Sequence, residues 1–221
     1  MPDFRDEGLV LGAHRHGESG IILSLFTKEH GRHLGLLRMK TLPLVGSLVE
    51  AKWRARLSEH LGNYNCETIF ALSAAYMEDK HRLAAISSLC ALLDESLPER
   101  EPLPDFYKQV IHFFNHLEEK NWLTAYIRLE ALLLKVLGFG LDLSRCAGGG
   151  DSQTLAYVSP KTAKAVSKEK GEPYRDKLLV LPRFLWQNCQ ADEADLRAGL
   201  FLTGYFLAQH IPLPRTRLKL L

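Results

Sequence analysis

The residues best suited to chemistry are cations at alternate positions. Lys52, Arg54 and Arg56 alternate with Ala51, Trp53, Ala55 and Leu57, the period of a strand with one face inward and the other in water. A row of like charges suits the phosphates of a nucleic acid, each neutralised phosphate adding nearly one unit to the salt dependence of binding. Arg38 and Lys40 precede the row. Lys28 and Arg32 complete a stretch, Lys28 to Arg56, that carries seven basic residues and two acidic ones. Trp53, Phe26 and Tyr64 are candidate stacking platforms for bases, although Trp53 has the parity of the inward face. The plainer reading of the cations is a solvated strand face.

A second candidate lies in the stretch from Trp122 to Gly150. Arg128 and Lys135 are seven residues apart and share one edge of a helix, with Glu130 roughly opposite. Two readings fit. The three charges snorkel to water from a mostly buried helix, or Arg128 stands beside an apolar pocket as a clamp for an incoming carboxylate. His14, His16, His30 and His33 invite a metal reading, but nothing completes a recognisable ligand set, and surface imidazoles are expected. Gly148-Gly149-Gly150 lacks the Lys-Ser/Thr of a phosphate loop, and no Gly-x-Ser-x-Gly or His-Glu-x-x-His occurs. The expectation is a binding protein rather than an enzyme, with no metal and no cofactor.

Composition agrees with that class. The 221 residues carry 46% apolar and 24% charged side chains, those of an ordinary globular protein of one large or two modest domains. Net charge is only +2, but it is segregated. Lys161 to Arg183 has seven basic residues against three acidic, Arg215, Arg217 and Lys219 follow near the end, and Glu78 to Asp105 is acidic. Such partition suits a polyanion-binding face. The opening MPDFRDEG lacks the apolar core of a signal peptide, and no apolar run has membrane-spanning length. Cys66, Cys90, Cys146 and Cys189 are scattered, which argues against a disulfide framework.

The elements that must position these residues change character once. Gly8 to Ser73 reads as five short strands: Leu9–His14, Ile21–Thr27, His33–Met39, Ser47–Ser58 and Glu67–Leu72. Five antiparallel strands in so few residues suit a closed barrel of the OB type. From Tyr76 the period becomes helical, with Leu83, Ile86, Leu89, Cys90 and Leu93 on one face, and a second helix opens at Pro104. Trp122 to Leu137 is apolar nearly all round and must be covered by other helices. Asp151 to Leu181 is irregular, with a hairpin expected around Pro160. Pro182–Asn188 and Asp192–His210 are the last helices, with Leu200, Phe201, Gly204 and Leu207 packing inward. The expected fold is α+β: an N-terminal five-stranded OB-type β-barrel in 1–75, then an all-helical C-terminal domain in 76–221.

Three segments together resemble the RecO family of bacterial recombination mediators. They are GLVLGAHRHGESGIILSLFTKEHGRHLGLL near the start, Arg-Leu-Glu at 128–130 with LGFGLDL and a Cys-x-x-x-Gly turn at Cys146, and LPRTRLKLL at the close. The resemblance covers essentially the whole chain. It implies binding of single- and double-stranded DNA, annealing of complementary strands, and loading of RecA onto DNA coated by single-strand binding protein (SSB). It also implies RecR as a partner, a cytoplasmic, nucleoid-associated location, and a pocket for the C-terminal tail of SSB at Arg128, Leu132 and Lys135. Many relatives carry a four-cysteine zinc site where Cys146 supplies one position and Gly149 stands at another, so 142–181 is expected to be a degenerate zinc-finger-like region without metal. The loop Lys40-Thr41-Leu42-Pro43 is shorter than in many relatives, a departure that puts the strength of DNA binding in question. An RNA-binding OB module with a protein-docking helical domain is the alternative.

Overall fold

The computed structural model describes residues 2–17, 20–38 and 43–220. They form two compact units, Met1–Asn115 with Pro214–Leu221, and His116–Leu213.

The first unit is built on β1 (Asp3–His16), β2 (Gly20–Thr27), β3 (Gly31–Leu37), β4 (Ser47–Arg54) and β5 (Asn63–Ala71). The pairing order is β1-β2-β3-β5-β4, with β4 returning to β1 to close the ring. β1 serves two neighbours: Asp3–Leu9 face β4, Gly8–His16 face β2, and a bulge between Val10 and Gly12 bends the strand between them. It starts well before the apolar alternation because its inward polar residue is satisfied. Buried Asp6 accepts from the Glu7 and Glu29 amides and lies 2.8 Å from His30 Nδ1.

Val10, Leu23, Leu25, Val49, Ala51, Trp53 and Tyr64 are among the residues filling the interior. Trp53 Nε1 donates to the Leu61 carbonyl at 2.9 Å. His33 is inside with them, 4% exposed, 3.0 Å from the Tyr64 hydroxyl and edge-on to the Trp53 ring. The expectation of surface imidazoles is thus corrected at His33, because its parity on β3 is inward. Phe26 and Tyr64 are likewise buried, at 0% and 5% exposure, and offer no ring for stacking.

Outside the ring lie α1 (Leu72–Ala75), α2 (Lys80–Ser96), α3 (Pro104–Asn115) and a 3-10 turn at Arg215–Lys219. Asp79 caps α2 by accepting from the His81 and Arg82 amides. Phe26 on the outer face of β2 meets Tyr107 edge-on at 5.3 Å, and Tyr107 donates to Glu7 at 3.1 Å. Arg100, in the loop between α2 and α3, has left-handed backbone (φ 64°). Its amide donates to Arg32 O at 2.7 Å, and its guanidinium holds the carbonyls of Ser58 and His60.

The second unit contains α4 (Trp122–Val136), β6 (Leu155–Val158), β7 (Ala165–Ser167), α5 (Lys168–Gly171), β8 (Leu179–Val180) and α6 (Glu193–Leu207). It is therefore not all-helical. β7, β6 and β8 form a small antiparallel sheet, and β6 and β7 make the hairpin around Pro160. The strands are four, three and two residues long, too short for a periodic signal. Pro182–Asn188 yields only a 3-10 turn at Arg183–Leu185. Glu130 does not snorkel: it is fully buried and accepts from the Thr203 hydroxyl at 2.5 Å. Gly199 permits close packing of α6, since a Cβ there would lie 2.9 Å from Phe184 and 3.1 Å from Ile127. Phe201 points outward rather than inward, at 65% exposure.

The loop at Cys146 does not fit a zinc ion. Its thiol accepts from the Ser167 amide at 3.2 Å and lies 3.4 Å from the Ser167 hydroxyl, and Ala147 N donates to Ala165 O. Hydrogen bonds to β7 thus do what ligands would do, and no group of three metal-binding side chains occurs among the described residues. No helix there is long and apolar enough to cross a membrane.

These contacts predict a stability that depends on pH in the first unit and one indifferent to chelation in the second. Burial, reinforced by the Arg100 charge, draws His33 from its ordinary 6.5 down to about 4. The unfolded chain takes up this proton below pH 6.5 and the folded unit does not until about pH 4. The associated stability is complete above pH 6.5 and is lost on acidification towards pH 4, on the order of 3 kcal/mol. Urea midpoints at pH 7.5, 5.5 and 4.5 should fall steeply for the natural chain and less for His33→Gln. In the second unit, a strong chelator should leave the thermal midpoint unchanged, and Cys146→Ser should cost no more than about 1 kcal/mol.

Candidate nucleic-acid interface

Pairing register sets the charges of β1, β4 and β5 in rows across the outer face of the sheet. Asp3, Arg54 and Asn63 form one row, Arg5, Lys52 and Asn65 the next, and Glu7, Glu50 and Glu67 the third. These positions alternate with the inward Phe4, Asp6, Ala51, Trp53 and Tyr64, so a strand filled on one side necessarily displays the other set together. A groove of about 570 Å³ runs over the first two rows, lined by Asp3, Arg5, Lys52, Arg54, Asn63 and Asn65 together with Phe4, Trp53 and Tyr64.

The cations here differ in availability. Lys52 and Arg54 are exposed, and no carboxylate among the described residues is within ion-pair distance of either. Arg5, absent from the residues expected from sequence, joins them, but its Nη2 reaches both Glu50 oxygens at 2.7 and 2.6 Å. That pair neutralises the centre of the acidic row. The one signal for Arg5 is its parity, three residues into a strand whose start is too polar to recognise.

The remaining expected residues fall in several places. Arg38 follows the last residue of β3 and is exposed; with Leu37 level with Tyr64, it stands at the height of the Asn65–Lys52 row. Arg56 is exposed two residues beyond β4, in the turn leading to β5. Lys28 lies on the far side of the glutamate row, 3.6 Å from Glu29, in a depression shared with Glu7 and Glu50. Arg32 is withdrawn: its Nε donates to Leu97 O at 2.8 Å and its guanidinium faces Asp94 at 3.5 Å. Lys40 lies outside the described residues. The structure thus groups Lys52 and Arg54 with Arg5 and separates Lys28 and Arg32 from them.

Arg128, on α4, borders a second cavity of about 530 Å³, lined also by Lys120, Asn121, Thr124, Asn188 and Leu196. Its guanidinium is held by the Phe184 carbonyl, which accepts from Nε at 3.1 Å and Nη2 at 2.8 Å. Five donors less two leave N–H groups to aim at an anion, in an orientation already fixed. Leu132 and Lys135 lie one and two turns farther along α4 and are absent from the lining, so the second cation beside Arg128 is Lys120.

Family models match both parts of the chain: "Recombination protein O N terminal" over residues 1–70 and "Recombination protein O C terminal" over 77–219. Proteins named "DNA repair protein RecO" are similar along nearly their whole length. That of Rhodospirillum centenum is 43% identical, covering 97% of this chain and 92% of the relative. That of Jannaschia sp. is 42% identical, covering 99% and 95%, and that of Methylorubrum populi 45%, covering 96% and 92%.

The charge geometry predicts a hierarchy among the cations. The double substitution Lys52→Ala/Arg54→Ala should lower the slope of log affinity against log salt by about 1.5 for a single-stranded oligonucleotide. Lys28→Ala and Arg32→Ala should leave that slope unchanged. Fluorescence anisotropy titrations at several salt concentrations measure both.

Proposed function

The chain belongs to the RecO family of DNA repair proteins, and on that premise we propose that it is a recombination mediator that rearranges nucleic-acid partners without making or breaking a bond. It binds single- and double-stranded DNA, brings complementary strands together, and assists the loading of RecA onto SSB-coated single strands. The observation that carries the reading is the groove on the sheet where Lys52 and Arg54 stand exposed with no ion-paired carboxylate among the described residues.

The ring of five strands in the order β1-β2-β3-β5-β4 is read as OB type, and a functional division after residue 75 is part of the same reading, supported by the gap between the two family matches. With the nearby aromatic rings turned inward, contact at the groove is through phosphates, hence indifferent to sequence and sensitive to salt. Annealing suits such a site: cations relieve repulsion between two strands while their base edges stay free to pair.

The cavity at Arg128 is assigned to the C-terminal tail of SSB, whose terminal carboxylate would meet Arg128 and Lys120. RecR is the further partner, and the cytoplasm with its nucleoid is where these partners meet.

Annealing of complementary oligonucleotides coated with the cognate SSB tests the reading. Acceleration by this protein is expected, and its loss with tailless SSB would implicate the tail in the mechanism. Arg128→Ala should weaken binding of a tail peptide about tenfold or more, as for a charge-assisted contact of 1.5–3 kcal/mol, while sparing bare DNA. No acceleration on coated or bare strands, with tighter binding of RNA than DNA at matched salt, would replace the proposal with an RNA-binding one.

A further inference from the structure

The basic run from Lys161 to Arg183 lies in the second unit, and the structure sorts its charges. Lys170 pairs with Glu169 at 3.5 Å, Arg175 engages both Glu172 and Asp176, and Arg183 donates to the Gln187 side chain. Every acid of the run is thereby taken up. Lys161, Lys164, Lys168 and Lys177 stay exposed, with no carboxylate among the described residues within ion-pair distance. Pairing register brings three of them together. Val158 on β6 faces Ala165 on β7 and Leu179 on β8, so the turn holding Lys161 and Lys164 lies at the same end of the small sheet as Lys177. That turn is fixed: Ala163 is left-handed (φ 55°), its amide donates to Ser159 O at 2.9 Å, and its carbonyl accepts from Asp142 N at 2.9 Å. Asp142, which forms a backbone bridge with Lys164, has its carboxylate turned to Ser144.

The approach to Lys177 is the 3-10 stretch Glu172–Lys177, a geometry in which side chains three residues apart eclipse. The Glu172–Arg175 ion pair at 3.4 Å follows that spacing. The same spacing aligns Tyr174 with Lys177, and Tyr174 is 62% exposed. A lone exposed ring needs no explanation, but this one stands in line with an unpaired cation at the end of the sheet where two more gather. We propose that this end of the sheet is a contact for unpaired nucleic-acid bases, with Tyr174 stacking on a base while Lys177, Lys161 and Lys164 meet the flanking phosphates. The openness of the ring favours a base over an acidic peptide, whose apolar side chain would need an enclosing pocket.

The inference rests on the reading of the chain as a DNA-binding protein and adds a contact in a unit to which that reading gives none. The two contacts respond to different features of DNA. The groove on the first unit takes phosphates, which single strands and duplexes both present. Tyr174 needs a base outside the helical stack, so it tells a single strand from a duplex. Annealing benefits from the difference, since pairing withdraws the base from the ring and loosens the product.

Anisotropy titrations of the full chain against a single-stranded oligonucleotide and the matching duplex test it. Tyr174→Ala should weaken single-strand binding about fivefold or more, with its salt slope, the duplex affinity and the thermal melt unchanged. Lys161→Ala/Lys177→Ala should instead lower the single-strand salt slope by about 1.4. Photocrosslinking of an iodouracil-substituted strand gives an independent reading. The crosslinked peptide should contain Tyr174, in the natural chain and in Lys52→Ala/Arg54→Ala alike. Single-strand binding indifferent to Tyr174→Ala, an equal loss on duplex, or crosslinks confined to other residues overturns the site and leaves the DNA-binding reading standing. A natural chain that binds neither DNA overturns both. Tyr174→Ala weakening only the binding of an SSB tail peptide would hand the patch to an acidic protein and overturn the proposal.

Discussion

Among the described residues the five-stranded ring closes through two residue pairs, Leu36 with Asn63 and Leu37 with Tyr64, and most of the first unit can be understood as support for that short parallel seam. A seam of this length cannot hold a ring by its own hydrogen bonds, so packing must secure it from inside and outside. Inside, Tyr64 reaches across to His33, Trp53 lies edge-on to His33, and Gly35 is bare because a Cβ would lie 2.4 Å from the Tyr64 ring. Outside, Arg100 links the β3 backbone to the turn between β4 and β5. A left-handed arginine costs on the order of 1 kcal/mol or more of backbone strain, which its carbonyl contacts offset.

Closure also creates the candidate binding face. Once Trp53 and Tyr64 are committed inward, strand parity displays Lys52, Arg54, Asn63 and Asn65 side by side. The site is thus a by-product of core packing. The glutamate row then marks where the cationic surface ends, and the Arg5–Glu50 pair partly neutralises that border. Lys28, beyond the border, and Arg32, turned to Asp94, show that proximity in sequence to a basic run does not bring a side chain into the same field.

Much of this is legible in the residues, and the exceptions have physical causes. The five strands and the helix from Trp122 announce themselves by period, and alternation along β4 is enough to separate Trp53 from its cationic neighbours. The beginning of β1 is hidden because Asp6, a polar residue facing inward, breaks the pattern that its hydrogen bonds restore. The small sheet of the second unit is hidden because strands of two to four residues have no measurable period. Charge alone does not reveal that Glu130 is buried against Thr203, since both hydrogen-bond partners must be known. Phe201 reads as inward from sequence and stands outward because the inside of an apolar helix cannot be told from the outside by composition.

The 3-10 turn at Arg215–Lys219 belongs to the first unit, where His81 Nδ1 lies 3.0 Å from the Lys219 carbonyl. That unit is consequently discontinuous in sequence, with the whole of the second lying between its pieces. During synthesis the strands and α2 leave the ribosome first, and this part of their support emerges about a hundred residues later, roughly 5–20 s at bacterial elongation rates. For that interval the side of α2 destined for the 3-10 turn faces solvent uncovered. The second unit, contiguous along the chain, can complete itself before the first is sealed.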